Sequence, residues 1–343
     1  LRSSLDKGVS FPAARAAALE EMGIVGPHKG SKPRDILITK EQWMTMRSGG
    51  AEQMGFEDLE ELDEELLEQA VRDGAEVVFT TAPPLSRATL KAAVKYPKIR
   101  FLNCSVDVPY PSLRTYYSRI YEGKFITGAI AGAMARNNRI GYVGTYPIHG
   151  EPAAINAFAL GAQLTNPRAK IELKWSCLKG NPSKELFQSG IRVISNRDAP
   201  DANRVYTDYG TYFYNEEGRS VALGTPVWKW GKFYEQVVES IADGSWGSGK
   251  SKQAVNYWWG IDSGVIDVAL TAEVPEGLRF LAEMLRGGLR QGKLDPFLRP
   301  IRDQAGNLRC DGLTGFTPDE LVHMDWLCEN VIGHIPTIDE VIP

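Results

Sequence analysis

The side chains best suited to hold a polar ligand are two aspartates that follow or end apolar stretches, Asp107 and Asp208. A carboxylate at the carboxyl end of a strand can accept hydrogen bonds from two hydroxyl groups, so both are candidates for ligand binding. The alternative is that each aspartate only forms a turn. Paired carboxylates also occur in the acidic run Glu57–Glu68, but such a run is typical of a solvated helix face.

Three tryptophans stand where they could stack on a flat ligand. Trp175 ends a predicted strand, and Trp228 and Trp230 flank Lys229 after a predicted crossing between two lobes. Stacking between aromatic faces, with a few polar contacts at the rim, holds a flat heteroaromatic ligand well. Packing in the core is the alternative for these three, and it is the prediction for four further tryptophans, Trp246, Trp258, Trp259 and Trp326.

The sequence motifs of several enzyme classes are missing. There is no GxxxxGK[ST] phosphate loop, no HExxH zinc motif, no GxSxG nucleophile elbow and no EF-hand loop. The histidines are isolated: His149 follows a predicted strand and is a candidate to face a cleft, whereas His323 is expected to pack on a helix or lie at the surface. We therefore predict a protein that is not an enzyme and that uses no cofactor and no metal.

The cysteines give no support to a zinc or dithiol site. The chain has four of them, without a CxxC pair, at Cys104, Cys177, Cys310 and Cys328. We expect free and mostly buried thiols. A bridge between Cys310 and Cys328 in an oxidising compartment is the alternative, because sequence separation alone does not decide it.

Composition limits the class of partner. The chain of 343 residues is 43% hydrophobic and 24% charged, which is close to globular averages and long enough for two domains. Its net charge of −4 argues against binding of nucleic acid, which usually needs a basic face. No apolar run approaches the roughly 18 residues of a membrane helix. A small ligand fits this balance better.

The elements that position these residues follow an α/β pattern. A helix is predicted over Glu57–Arg72 and ends at Gly74, and a buried strand follows over Ala75–Thr80. The next helix, Ser86–Tyr96, leads to the strand Ile99–Asn103, which completes one βαβ unit.

A second series of α/β units begins near residue 137. It follows a glycine-rich helix over Glu122–Arg136, in which glycines would let another backbone approach closely. Its predicted strands are Arg139–Gly144, Lys170–Trp175 and Ile191–Ser195, and its first helix is Pro152–Leu164. Two such series predict two lobes with mostly parallel sheets, and ligands of such sheets bind at the carboxyl ends of the strands. Near the C-terminus, Thr317 and Glu320 predict a capping box.

Seven blocks of sequence, in the right order, resemble the basic membrane protein (BMP) family of substrate-binding proteins. Arg119–Ala133, RIYEGKFITGAIAGA, is similar to the family's R-x-YEG-x-F-x-x-G-x-x-AG segment, and Val227–Trp246 is similar to its VWNWG block. The other similar blocks are Arg139–Gly144, Ile155–Pro167, Trp259–Val268, Asp295–Gly306 and Met324–Gly333. The resemblance covers the chain from about Gly74 to Pro336.

This resemblance implies a type I periplasmic-binding-protein fold with the ligand cleft between two α/β lobes. Lobe 1 is expected to comprise residues 1–136 plus about 226–255, and lobe 2 residues 137–225 plus about 256–343. The implied function is that of an ABC transporter component that closes over a purine nucleoside or nucleobase and delivers it to a permease. The implied location is extracytoplasmic, in the periplasm or as a lipoprotein, with membrane contact only through an anchor outside this chain.

The family's binding residues carry over unevenly. Ser105 stands where the family often has an aspartate for ribose hydroxyls, and Trp175 corresponds to an aromatic after a lobe 2 strand. Gly210 and Tyr212 match the family's GxDSD strand end, with Tyr212 replacing its first aspartate and Asp208 displaced upstream. Near the N-terminus, Phe11 lies close to the position of a loop aromatic. Because both carboxylates are lost, a nucleobase or another aromatic ligand is as well supported as a nucleoside.

One alternative is a ligand-sensing regulatory module of a longer cytoplasmic protein. The N-terminus departs most from the family, since no strand precedes the predicted helix at Gly8–Gly23. An upstream folded domain would favour the sensor, whereas a lipoprotein signal would favour transport. An enzyme acting on nucleosides is a third reading, but it lacks an evident base or metal site.

Overall fold

The first helix that the structure describes ends just before a glycine, as the sequence predicts. The computed structural model describes residues 56–81, 85–105, 113–147, 150–198, 209–247 and 256–341. The chain divides into two compact units, residues 1–74 and 75–343. In the first unit, helix α1 spans Phe56–Arg72, and Gly74 takes a left-handed φ of +92°. The predicted helix over Glu57–Arg72 is thus confirmed.

The second unit alternates strands and helices along most of its described length. Its helices are α2 (Ser86–Lys95), α3 (Ile120–Met134), α4 (Glu151–Thr165), α5 (Pro182–Gln188), α6 (Trp230–Ala242), α7 (Glu276–Arg290) and α8 (Pro318–Val322). Its strands are β1 (Val77–Thr80), β2 (Arg100–Asn103), β3 (Arg114–Ser118), β4 (Arg139–Gly144), β5 (Lys170–Trp175), β6 (Val193–Ser195), β7 (Thr211–Tyr214), β8 (Ser220–Trp228), β9 (Asn256–Trp259), β10 (Ile266–Leu270), β11 (Pro300–Arg302), β12 (Leu308–Asp311) and β13 (Val331–Ile332).

The described strands form two main sheets. A four-stranded sheet has the order β1-β2-β3-β9 and is parallel throughout. A seven-stranded sheet has the order β10-β8-β7-β6-β4-β5-β13. In this sheet β6, β4, β5 and β13 run parallel to one another. The pairs β6–β7, β7–β8 and β8–β10 are antiparallel. Strands β11 and β12 form a separate hairpin.

The glycines of α3 allow the close helix packing that the sequence predicts. A Cβ on Gly128 would overlap the carbonyl oxygen of Phe158 in α4, and a Cβ on Gly161 would overlap that of Phe125 in α3. Helices α3 and α4 are buried along most of their length, and they contribute to the largest hydrophobic cluster together with the seven-stranded sheet. Such close packing depends on glycine because only a residue without Cβ fits between the backbones.

Within the described residues, the chain passes between the two sheets three times. It leaves β3 for α3 at Arg119, leaves β8 for α6 at Lys229, and leaves β9 for β10 through residues 260–265. Helix α6 packs on the four-stranded sheet, because its buried Phe233 contacts the same cluster as Leu102 of β2. The predicted crossing beside Trp228 and Trp230 is therefore confirmed, whereas the residue boundaries predicted for the two lobes remain a prediction.

An ion-pair network connects two of these crossings. Arg119 pairs with Glu122, at 2.6 Å, and with Asp262, and it donates from Nη1 to the carbonyl oxygen of Trp258 at 2.7 Å. Glu122 is buried and also accepts the backbone N–H of Ile261 at 2.7 Å. Because every member is partnered, the network holds the two segments in a fixed relation.

Three smaller features bear on the sequence predictions. All four cysteines are free thiols, so the structure contains no bridge between Cys310 and Cys328. Thr317 and Glu320 form the predicted capping box at the start of α8. Of the helices that the structure describes, none has the length and apolar character needed to cross a bilayer.

Candidate functional site

Four polar side chains meet where the seven-stranded sheet faces the start of helix α3. Lys124 lies in the second turn of α3, Tyr142 in β4, Glu151 in the first turn of α4, and Asp198 three residues after β6. We call these four residues the Lys124 cluster. Glu151 follows the carboxyl end of β4 and Asp198 follows that of β6, which is the edge where open α/β sheets bind ligands.

A buried ion pair is the centre of the Lys124 cluster. Lys124 is only 4% exposed, and its Nζ lies 2.7 Å from Asp198 Oδ1 and donates to the carbonyl oxygen of Asn196 at 3.4 Å. Burial raises the pKa of Asp198, although Lys124 and a hydrogen bond from Thr225 favour its ionised form. Buried charges are costly unless they are paired and hydrogen-bonded, so this pair has to be kept intact.

Glu151 is a half-buried member of the cluster. Burial raises its pKa to about 7, while the positive charge of Lys124 lowers it, the negative charge of Asp198 raises it, and the backbone N–H of Thr145 lowers it. A carboxyl group with this pKa changes charge in the physiological range. With both carboxylates ionised, two negative charges face one ammonium group, so the cluster has a net negative charge.

A row of buried hydroxyl groups lies beside the cluster. Tyr142, Ser195 and Thr211 are register partners across β4, β6 and β7, so their side chains point to the same face of the sheet. All three residues are at most 1% exposed, and none of the three hydroxyl oxygens has a hydrogen-bond partner among the described residues. The ring of Tyr142 lies 5.3 Å from Lys124 Nζ, and burial followed by the charges of Glu151 and Asp198 raises its pKa.

The four-stranded sheet contributes a stacked aromatic pair. Tyr117 of β3 stacks on Trp258 of β9, with ring centroids 5.9 Å apart and planes 13° apart. Burial raises the pKa of Tyr117 to about 12, with smaller contributions from Cys104 and from Glu151 across the gap. Tyr117 belongs to one sheet and Glu151 to the helix after a strand of the other. This electrostatic interaction links the cluster to the four-stranded sheet, whereas the contacts of Lys124 with Asn196, Asp198 and Tyr142 lie on the side of the seven-stranded sheet.

Ser105 is the sequence-predicted residue beside the four-stranded sheet. It follows β2, is buried, and has no hydrogen-bond partner for its hydroxyl among the described residues. Its neighbour Cys104 is half-buried, and burial raises the pKa of the Cys104 thiol to about 11, so the neutral thiol is the stable form there. The predicted site residues Phe11, Asp107 and Asp208 lie outside the described residues.

Trp175 lies at the carboxyl end of β5 in a different environment. It is 4% exposed, and its indole N–H donates to the carbonyl oxygen of His334 at 2.8 Å. The ring covers Gly144, where a Cβ would come within 2.7 Å of it. A cavity of about 340 Å³ adjoins this position, lined also by Leu178 and Ile332. The packing and the satisfied N–H favour a structural contribution from Trp175, and its role in binding stays a prediction.

Gly210 adjoins the Lys124 cluster, because a Cβ on it would lie 2.6 Å from Cβ of Thr225, whereas Tyr212 lies in separate surroundings. Gly210 immediately precedes β7 with a φ of +62°, and its N–H donates to the carbonyl oxygen of Arg197 at 2.9 Å. Because β7 is antiparallel to β6, this start of β7 adjoins the carboxyl end of β6. Tyr212 is two residues further on, register partner of Ile194, and packs in a hydrophobic cluster with Leu186.

The two tryptophans of the crossing differ in exposure. Trp228 is 37% exposed and donates its indole N–H to Ser118 Oγ at 2.9 Å. Trp230 is half-buried and packs edge-on against Tyr116, with ring centroids 5.7 Å apart. Trp175, Tyr212 and Trp230 are thus placed in three different hydrophobic clusters, and the structure does not gather them into one aromatic wall.

The Lys124 cluster and Tyr117 were missed by the sequence reasoning. The available signal was Lys124 itself, a lone lysine between small and apolar residues in a helix that otherwise reads as buried. Glu151 gave a weaker signal as the acidic residue that opens a helix after a strand. Among the described residues, no group of three or more His, Cys, Asp or Glu side chains is arranged to hold a metal ion.

A solved structure shares the fold of this chain. The chain is similar to the solved structure of an ABC transporter solute-binding protein from Conexibacter woesei, with a TM-score of 0.52 and 18% identity over 69% of this chain and 84% of the other. This likeness concerns the fold alone. It confirms a two-lobed type I periplasmic-binding-protein architecture, in which each lobe is a sheet flanked by helices.

The chain belongs to the BMP family, described as ABC transporter substrate-binding proteins, PnrA-like, because the family's sequence model matches residues 40–280. A purine-binding protein from Brucella abortus is 28% identical over 257 residues, which are 71% of this chain and 72% of that protein. A protein from Haloferax volcanii named as an ABC transporter glucose-binding protein is 31% identical over 215 residues, 59% of this chain and 54% of its own length. The names of these relatives differ in ligand.

Proposed function

We propose that this protein binds a small nitrogen-containing aromatic ligand of the purine class and delivers it to an ABC permease. The observation that carries the proposal is the position of the Lys124 cluster. Its charged and hydroxyl groups lie at or beside strand ends of one sheet, and in the proposal the aromatic ring of Tyr117 on the other sheet faces them. A flat ligand with a polar rim fits such a pair of walls, with one face on the ring and its edge on the cluster.

Lobe closure is the working step in this proposal. The lobes contain the four-stranded and the seven-stranded sheet, joined by the three crossings, and closure brings Tyr117 toward Glu151 around the ligand. Binding and release need no covalent chemistry, so we propose a binding protein rather than an enzyme. Delivery to a permease implies that the protein works outside the cytoplasm.

The proposal favours a nucleobase over a nucleoside. In the position where the family often has an aspartate for ribose hydroxyls, this chain has Ser105, and Tyr212 replaces a second carboxylate. Carboxylates are the groups that accept paired hydroxyl hydrogen bonds most strongly. A ligand without a ribose does not need them.

A thermal-shift screen tests the ligand class. Purified protein is heated with adenine, hypoxanthine, guanine, adenosine, inosine and glucose, because a ligand that binds only the folded state raises the melting temperature by mass action. The proposal expects the largest shifts with nucleobases. A shift with glucose and none with purines would overturn the purine assignment while leaving the family unchanged.

A further inference from the structure

A cavity of about 510 Å³ lies at the amino end of strand β6, at the opposite edge of the seven-stranded sheet from the Lys124 cluster. Its lining comes from the end of α3, the start of β6 and the end of β7. Met134, the last residue of α3, lies ten residues beyond Lys124, which is about 15 Å along a helix. Cavities of several hundred cubic ångströms are typical of small-molecule sites, so this one is a candidate site apart from the proposed purine site.

The lining of the cavity combines apolar and charged side chains. Its apolar side chains include those of Met134, Val193 and Phe213. Its charged residues are Arg136, Arg192 and Glu216, which give two positive charges and one negative charge. Within the described part of the chain, neither guanidinium group has an ion pair or a hydrogen bond. The two arginines therefore keep their N–H donors for a group that enters the cavity.

An aromatic contact holds Arg192 beside the cavity. Its guanidinium carbon lies 4.6 Å from the centre of the Phe187 ring, and that ring lies 4.3 Å from the ring of Tyr214, which also lines the cavity. The backbone N–H of Tyr214 donates to the carbonyl oxygen of Arg192 at 2.8 Å, which fixes the two residues side by side. A cation–π contact uses none of the N–H donors of a guanidinium, so Arg192 is positioned and its donors stay available.

We propose that this cavity is a second binding site, which takes a small organic anion with an apolar body. The carboxylate or phosphate group of such a ligand accepts hydrogen bonds from Arg136 and Arg192, because a guanidinium fork matches the geometry of both oxyanions. The body of the ligand packs on the apolar side chains of the lining, which removes apolar surface from water. Glu216 repels an anion, so the two arginines determine the sign of the charge that binds.

Benzoate and benzamide are matched probes, since they share a ring and differ in the charge of the substituent. Isothermal titration at low ionic strength is expected to give about tenfold or more tighter binding of benzoate, the size expected for a hydrogen bond between charged groups. Phenyl phosphate should bind more tightly than inorganic phosphate, which lacks the apolar body. The comparison of benzoate with phenyl phosphate shows which oxyanion the site prefers. Saturating adenine should leave benzoate binding unchanged, because the proposed purine site lies at the other edge of the sheet.

Three variants test the residues of the cavity. Arg136→Gln and Arg192→Gln are each expected to weaken benzoate binding about tenfold and to leave benzamide binding unchanged. Glu216→Gln should instead tighten benzoate binding about twofold to threefold, because it removes a repelling charge, and a damaged fold would not produce such a gain. Arg168→Gln is the matched control, since this arginine is exposed and lies outside the cavity. It should bind benzoate like the wild type.

Equal affinity of the wild type for benzoate and benzamide would overturn the inference, and so would no binding of either benzoate or phenyl phosphate. Anion binding that adenine displaces, or that neither arginine variant weakens, would also overturn it, because the anion would then be bound elsewhere. All of these results leave the proposed function standing, since the thermal-shift screen tests the purine assignment separately.

Discussion

Lys124 Nζ lies 2.7 Å from Asp198 Oδ1, and this buried ion pair joins the first helix after a lobe crossing to the segment that follows a central strand. The two residues are far apart in sequence; Lys124 stands at an unspecified position of the block Arg119–Ala133, and Asp198 belongs to no recognisable motif. Their pairing places charge beside the ligand edge of the seven-stranded sheet. In the proposed function, the polar side of the ligand site depends on that pair.

Removing one partner of the Lys124–Asp198 pair should destabilise the folded protein more than removing both. Lys124→Met leaves Asp198 buried without its cation, and we expect a loss of about 3 kcal/mol in the free energy of unfolding. Lys124→Met combined with Asp198→Asn should recover a large part of that loss, because the lone charge is gone. Urea unfolding of the single and double variants measures the coupling. Additive losses would show that the two charges do not interact.

The pKa of Glu151 predicts how stability depends on pH. Its folded-state pKa, about 7, lies above its ordinary value of 4.5, so the folded protein holds a proton that the unfolded chain has lost. Stability contributed by this group is therefore complete below about pH 4.5 and is lost as the pH rises to about 7. Without ligand, the melting temperature of Glu151→Gln should fall less than that of the wild type between pH 5 and pH 7. Melting temperatures that change with pH equally in the variant and the wild type would contradict the raised pKa of Glu151.

The glycines of α3 and α4 are expected to be intolerant of a methyl group. Gly128→Ala and Gly161→Ala each place a Cβ against a carbonyl oxygen of the facing helix, so each should destabilise by about 1–3 kcal/mol or more through overpacking. Gly287→Ala is the matched control in α7, where a Cβ meets no atom within 4 Å. It should stabilise by about 0.5–1 kcal/mol through helix propensity. Equal changes in the free energy of unfolding for the α3 and α4 variants and for Gly287→Ala would show that helices α3 and α4 are not in tight contact.

The network between crossings predicts unequal effects of its two acids. Glu122 is buried and accepts from both Arg119 and Ile261, so Glu122→Ala should lower the free energy of unfolding by about 3 kcal/mol. Asp262 has a side chain that is 46% exposed, so Asp262→Ala should cost about 1 kcal/mol or less. Urea unfolding measures both. A larger effect at Asp262 would mean that the exposed pair holds the crossings.

The Trp175→Ala variant distinguishes the two roles that the sequence leaves open for this residue, stacking on the ligand and packing in the core. If Trp175 stacks on the ligand, its change to alanine should weaken ligand binding by about 1–3 kcal/mol without unfolding the chain. The structure favours the other result, because Trp175 is buried and its N–H is bonded to His334. We expect Trp175→Ala to lower stability by about 3 kcal/mol or more and to leave affinity nearly unchanged. Titration and urea unfolding of one variant distinguish the two.

Much of the fold was predictable because its signals are local. Hydrophobic runs place β4 and β5 within their observed bounds, the glycines of α3 announce a close helix contact, and Thr317 with Glu320 marks the start of α8. The direction of β7 was not predictable, since a short apolar strand reads alike in either orientation and only its pairing with β6 decides. The blocks that resemble the family supplied the two-lobed arrangement.

The site was harder to predict because it depends on contacts between distant segments. Lys124 and Asp198 become a pair only after three strands have been arranged between them. The tryptophans are conspicuous in the sequence, but aromatic residues serve cores and binding sites equally well. Tyr117 gave no signal of its own, because its electrostatic interaction with Glu151 joins segments of two different sheets.

The most direct test of the account is isothermal titration of adenine into Tyr117→Ala and Glu151→Ala, which alter the two walls separately. We expect each variant to bind about tenfold or more weakly than the wild type, since one loses a stacking face and the other a charged acceptor. Glu273→Ala should bind like the wild type. Unchanged affinity in both wall variants, with the fold intact by circular dichroism, would contradict a ligand site between Tyr117 and the Lys124 cluster.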